Sequence, residues 1–237
     1  KYDRISGTTL SPDGRSVVFP ASDGGKWFMV RDGAPVSDKK YDGIWDWAFG
    51  PDSASLVLAV RQGNVSFIVK NGIRTGIEHH MSGMADIRDL AVSHDGRSFA
   101  YSVRQDAKYF VIKDNARVGE EYSDIGAPVF SPNGRAVAFV ATLDGKSFVI
   151  NNGLRTSSEY DQVGPLAFSP NGQSLAFWAR SRPSKWTLIN GGVPVPSSVH
   201  DGYDTVSEIR TSSSPTAPRL ITAGTRGTSV HCIDVPW

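Results

Sequence analysis

Residues Ser131 to Gly153 read SPNGRAVAFVATLDGKSFVINNG. In the opening Ser-Pro-Asn-Gly step, Pro fixes φ and Asn or Gly accepts positive φ, so the chain turns there. The apolar run Val137 to Ala141 follows, then an Asp-Gly step, then the aromatic-led run Phe148 to Ile150, closed by Asn152-Gly153. Asn-Gly between two extended runs specifies a hairpin whose positive φ suits the strand twist. The stretch therefore predicts a turn, a buried strand, a second strand and a hairpin.

Variants of this stretch fill the chain. The tight turn recurs as Ser11-Pro12-Asp13-Gly14, Gly50-Pro51-Asp52-Ser53, Ser93-His94-Asp95-Gly96 and Ser169-Pro170-Asn171-Gly172, with a degenerate copy at Ser214-Pro215-Thr216-Ala217. With Pro132 included, the second positions are 39, 43, 38, 38 and 45 residues apart. A period of about 40 residues with four strands per unit signals a β-propeller. The expected fold is all-β: six blades of four antiparallel strands, a to d from the axis outward, over residues 2–40, 41–83, 84–121, 122–159, 160–202 and 203–237. One domain is expected, since all-β folds of this length commonly form a single core.

Strand a starts at Tyr-Asp-x-Ile-like steps such as Tyr41 to Ile44 and Tyr160 to Val163. Strand b is apolar and expected to be buried on both faces, while strand d is polar, as suits an outer edge. The sixth unit stops at Asp234-Val235-Pro236-Trp237, too soon for its own strand d. Because Lys1-Tyr2 matches Lys40-Tyr41, residues upstream of Lys1 in the natural chain are expected to supply that strand. A start at Lys1 rather than Met suggests a processed or trimmed product, whose missing segment would carry any address.

Composition excludes several functions. The 25 basic and 24 acidic residues are interspersed and leave a net charge of +1, with no basic stripe for nucleic acid and no polybasic run for lipid. No apolar run approaches the roughly 20 residues of a membrane span, so membrane insertion is not expected. The single Cys232 forms no internal disulfide and is assigned to packing in a strand.

The unit FSPDGxxxAFxA...DGKxFxVxNG resembles the PD40, or WD40-like, repeat of TolB-type six-bladed β-propellers, over nearly the whole chain. The resemblance implies interaction surfaces and a bacterial periplasmic or extracytoplasmic setting. It implies no particular activity, because the repeat is shared by scaffold proteins and by gate domains of peptidases.

Alternating strands put the a-to-b and c-to-d turns on one face and the b-to-c and d-to-a loops on the other. The second face carries the variation and is the expected binding face. Its d-to-a connections from Gly72 to Met84 and from Gly192 to Tyr203 span 12 and 11 positions, against 8 from Gly33 to Tyr41. They hold His79, His80 and Met81 in one and His200 in the other. Imidazoles so placed would suit a transition metal, but an adjacent pair lacks a spaced third ligand, and solvated loop positions are the plainer reading.

Every unit has an acid where strand a begins (Asp3, Asp42, Asp86, Asp124, Asp161, Asp204), and three have a second one deeper, Asp46, Asp89 and Glu208. They read either as a cation-attracting mouth, even a glycosidase pair, or as caps that accept backbone N–H bonds. Repetition in all six units favours capping, since catalysis needs one acid to differ from its neighbour. Arg61, Arg104, Arg180 with Arg182, and Arg226 mark the b-to-c loops as a basic periphery or an ordinary rim. Trp45 and Trp47 are expected on one face of strand a, Trp47 in the core and Trp45 exposed where it would anchor peptide or sugar.

No nucleophile elbow, zinc-protease, P-loop or dinucleotide motif occurs. The expected function is a non-enzymatic scaffold for protein or peptide, with no cofactor. A carbohydrate binder or glycoside hydrolase, and a regulatory or gate domain serving another domain of the same natural chain, stay open.

Overall fold

The structure, a computed structural model, describes residues 1–80, 86–181, 186–195, 203–211, 219–226 and 229–237. It comprises two compact units, Lys1–Glu121 and Tyr122–Trp237. Each unit holds three antiparallel sheets, one per repeat, with the connectivity of propeller blades. The chain is all-β, and the described residues contain no helix.

The turn motif works through one buried hydroxyl. Ser11 Oγ donates to Asp13 Oδ1 at 2.6 Å and accepts the Ser16 N–H at 2.9 Å, while Asp13 Oδ1 also accepts the Arg15 N–H. The same bonds recur at Ser93-Asp95, Ser131-Asn133 and Ser169-Asn171, and all four serines are buried. Asp and Asn are interchangeable there because only the acceptor oxygen is used. The c-to-d hairpins add a second acceptor: Asp32, Asn71, Asp114 and Asn152, all at φ near +50°, take the first amide of their own strand b (Val17, Leu56, Phe99 and Val137) at 2.8–3.0 Å.

Strand b is covered on both sides, as its apolar runs require. In Leu56–Gln62, Leu56, Leu58 and Val60 pack with Val18 and Met29 of the first sheet, while Val57 and Ala59 pack with Phe99, Tyr101 and Ile112 of the third. In Leu175–Arg180, Phe177 faces the fourth sheet, whereas Trp178 faces the sixth and donates its indole N–H to Thr222 Oγ1 at 3.1 Å. Burying such side chains contributes roughly 1.5–3 kcal/mol apiece. The stacked sheets, rather than any single sheet, therefore make the core.

The inner strand is interrupted at one height in every sheet. It is split in the first, fourth and sixth sheets, into Arg4–Ile5 and Thr9–Leu10, Asp124–Ile125 and Val129–Phe130, and Thr205–Val206 and Arg210–Thr211. It bulges at Trp45 in Gly43–Phe49, at Asp89-Leu90 in Asp86–Val92 and at Gly164-Pro165 in Gln162–Phe168. In the sixth sheet both inner segments pair with Arg219–Arg226, which pairs with Ser229–Pro236, and no outer strand follows among the described residues. That is the shortened last blade expected from the sequence.

Three expectations change. The bulge at Trp45 resets the alternation, so Ile44 and Trp47, not Trp45 and Trp47, share the face toward the first sheet, and Trp47 Nε1 donates to Thr9 Oγ1 at 3.0 Å. His79 and His80 are not in a loop: they end the outer strand Ile73–His80, which pairs with Ser66 and Val65. Cys232 lies in Ser229–Pro236 as foreseen but is exposed rather than packed.

Candidate functional site

Among the acids at the start of strand a, Asp3, Asp42 and Asp161 are engaged by main chain or lysine. Asp3 accepts the Gly24 N–H at 2.9 Å, and Asp42 accepts the Gly63 N–H at 2.6 Å, each from the b-to-c turn of its own sheet. Lys26 of the first sheet also holds Asp42, as Lys146 of the fourth holds Asp161 at 3.0 Å. The Lys26 bond, then the Gly63 amide, keeps the Asp42 carboxyl below the usual range. The Asp204 amide bonds Thr225 O at 2.7 Å. The side chain of Asp86 and the whole of Met81, Arg182 and His200 lie outside the described residues, as does the side chain of Arg226.

Of the deeper acids, Asp46 takes two amides, Trp47 N–H on Oδ1 at 2.8 Å and Leu90 N–H on Oδ2 at 3.1 Å. Burial pushes its pKa up against those two bonds, and the charge of Asp89 adds to the rise. Asp89, at φ 56° on the facing bulge, accepts Ser102 Oγ at 2.6 Å and lies 3.7 Å from Arg88 Nε. These carboxylates join two inner strands and do not line an open cleft beside Trp45.

The arginines are laid on aromatic rings. Arg61 stacks over Trp45 at 5.2 Å, Arg88 and Arg104 over Tyr109 at 4.8 and 5.9 Å, and Arg180 over Trp186 at 5.0 Å while bonded to Gln162 Oε1. Trp45 is 49% exposed, with one face given to Arg61. His79 is buried, 3.1 Å from Tyr101 Oη, and burial lowers its pKa. His80 is exposed and 3.9 Å from Glu78. Among the described residues no three His, Cys, Asp or Glu side chains group as a metal site.

Among the described residues, the layer these arginines mark carries an aromatic ring in the first, second, third and fifth sheets, and none in the fourth or in the sixth, where Thr225 pairs with Val230. Its cross-strand pairs, from the end of strand b to the start of strand c, are Ser22 with Trp27, Arg61 with Ser66, Arg104 with Tyr109 and Thr142 with Ser147. Arg180 and Trp186 occupy the same level in the fifth sheet. Where Arg61 lacks an aromatic partner across the pair, Trp45 of the inner strand supplies it. In the fourth sheet nothing does: Thr142 and Ser147 are small and bond each other at 3.0 Å, and the Trp45 column holds Gly126 there and Gly164 in the fifth sheet.

The omission leaves a cleft of about 830 Å³ in the Tyr122–Trp237 unit. Gly126, Gly164, Thr142, Ser147 and Trp186 line it, together with aliphatic walls from Ile125, Val140, Val163, Leu166 and Ile209. Asp124 and Glu208, both exposed, are its acids, and no Lys or Arg lines it among the described residues. Neither carboxylate has a hydrogen bond or ion pair among the described residues. Of the sequence candidates, then, Glu208 belongs to this cleft and Arg180 backs its Trp186 wall. Trp45, Asp46, Arg61, Asp89 and Arg104, by contrast, lie in the Lys1–Glu121 unit. Sequence reasoning passed over Gly126, Gly164 and Trp186; the available signal was two consecutive glycines in one repeat column beside a Thr-Ser pair.

No protein-family description and no curated protein matches the chain. Solved structures similar to it include TolB from Acinetobacter baumannii, 13% identical with a TM-score of 0.46, covering 98% of this chain and 63% of that one. A protein assigned as TolB from Agrobacterium tumefaciens is 16% identical at a TM-score of 0.40, covering 98% and 82%. One assigned as a 6-phosphogluconolactonase from Bacteroides uniformis is 13% identical at 0.44, covering 96% and 82%. This chain thus spans less than two thirds of the Acinetobacter protein.

Proposed function

We propose that this chain is a non-enzymatic binding module that takes a protein or peptide segment into the cleft of the Tyr122–Trp237 unit. The observation that carries the reading is the cleft itself: about 830 Å³, open to solvent, with aliphatic walls, at the b-to-c end of the strands where loops vary most freely. Its volume falls in the range of about 300–1,000 Å³ in which proteins hold ligands. The polar groups inside argue for binding rather than turnover. Thr142 and Ser147 bond each other, and Gln162 is held by Arg180, so no nucleophile is paired with a base.

The test is selection from a random-peptide display library against the purified protein, followed by the variant Gly126→Leu. A Cβ at Gly126 would come no nearer than 3.6 Å to its neighbour, Val140, so the added side chain fills the cleft without displacing backbone. Selected peptides should bind the parent and lose binding to Gly126→Leu at an unchanged unfolding midpoint. Peptides retained in full by that variant would sink the reading. Turnover of aryl glycosides that disappears in Glu208→Gln would replace it with an enzymatic one.

A further inference from the structure

We infer that the cleft recognises a cationic side chain, a Lys or Arg whose aliphatic stem lies along the cleft wall and whose charge is met by Asp124 and Glu208. This rests on the cleft being the binding site proposed above. Three features of the lining point the same way. Among the described residues its only charged side chains are two carboxylates, and neither is engaged by another described residue. Its neutral polar groups are committed elsewhere, Thr142 to Ser147 and Gln162 to Arg180. Its remaining surface is aliphatic, from Ile125, Val140, Val163 and Leu166.

A sugar fits this lining less well. Saccharides stack on an open aromatic face and need several uncommitted hydroxyl or amide partners. Here Trp186 is half-buried, with Arg180 over its ring at 5.0 Å and its edge beside the bare backbone of Gly164, where a Cβ would stand 3.4 Å from Cζ3. An acidic ligand would meet Asp124 and Glu208 without a compensating cation. Long Lys and Arg side chains, in contrast, bury their methylene stems on apolar surface while the head stays in water, which matches aliphatic walls beneath exposed acids. Complementary charge of this kind adds selectivity and speeds encounter.

The experiment uses fluorescein-labelled peptides Gly-Val-X-Leu-Gly with X as Lys, Arg, norleucine or Glu, titrated by fluorescence anisotropy. The Lys and Arg peptides should bind about tenfold or more tighter than the norleucine peptide, and the Glu peptide weakest. Asp124→Asn with Glu208→Gln should erase the Lys-over-norleucine preference without moving the unfolding midpoint, since both residues are exposed. Added NaCl should weaken the Lys complex and leave the norleucine one nearly unchanged. If norleucine or Glu peptides bind as well as Lys and are lost in Gly126→Leu, the cleft stands as a binding site and the cationic preference is overturned. Lys binding that survives Gly126→Leu overturns the cleft reading itself. Failure of all four peptides, or capture of maltohexaose in their place, also overturns the inference.

Discussion

The carboxylate of Asp46 accepts the amide N–H of Leu90 at 3.1 Å, so a side chain on the inner strand of the second sheet completes the hydrogen bonding of a bulge on the third. Two sheets whose apolar faces would tolerate sliding are thereby fixed at one height. Asp46→Ala removes the acceptor and leaves Leu90 N–H without it, and should lower the unfolding free energy by about 1–3 kcal/mol in urea titration.

The same residue predicts an unusual pH response. Burial raises the folded pKa of Asp46 above its unfolded value, so its contribution is fully present below the unfolded pKa and is lost as pH rises through the folded one. The stability of the parent relative to Asp46→Asn should therefore improve as pH falls from neutrality toward about 4. A difference that stays flat across that window would show that Asp46 titrates alike in both states.

The turn acids have the opposite sign. The Ser11 hydroxyl and then the Arg15 amide hold Asp13 below its ordinary value, as the Ser93 hydroxyl and the Arg97 amide hold Asp95. Their contribution is present above the unfolded pKa and lost as pH falls through the folded one. Asn133 and Asn171 make the same bonds without a charge. Asp13→Asn with Asp95→Asn should leave the melting temperature at pH 7 nearly unchanged and reduce its fall in acid. A strongly lowered melting temperature at pH 7 would show that the charge itself is needed.

Gly96 and Gly14 occupy the same place in two turns, at φ 67° and 70°, yet differ in surroundings. A Cβ at Gly96 would lie 2.0 Å from Asp52 Oδ2 and 2.2 Å from Ser55 Oγ; at Gly14 nothing lies within 4 Å. Gly14→Ala should cost about 1–2 kcal/mol, the strain of a left-handed residue. Gly96→Ala should cost distinctly more, because it also displaces the neighbouring turn. Equal losses by calorimetry would mean that the turns do not support each other.

What could be read from the sequence divides along physical lines. The turns and the doubly covered strand b depend on local chemistry and period-two patterning, so Ser131-Asn133 and Leu56–Gln62 were legible at once. Bulges are not local in that sense. Trp45 and Trp47 are two apart and read as partners, yet an inserted residue against Val60 and Ala59 separates them. His79 read as loop because the Gly72–Met84 connection is longer than most, whereas the outer strand takes up the extra length, with a shift between Ser66 and Ile68. The acids were visible, but not which of them would be occupied: Asp42 and Asp46 meet amides, and Asp124 and Glu208 meet none among the described residues. The cleft was hardest to foresee because it is a deficit, and motif reading looks for residues that are present.

That deficit bears on how such a protein changes over generations. The backbone at Gly126, Thr142 and Ser147 keeps the blade form of its sister repeats, so the cleft was not made by bending or lengthening the chain. Single replacements at this level would deepen, narrow or close it while the turns and stacked strands that carry stability stay untouched. At this level of the blade, the shape of the cleft can therefore change at low risk to folding.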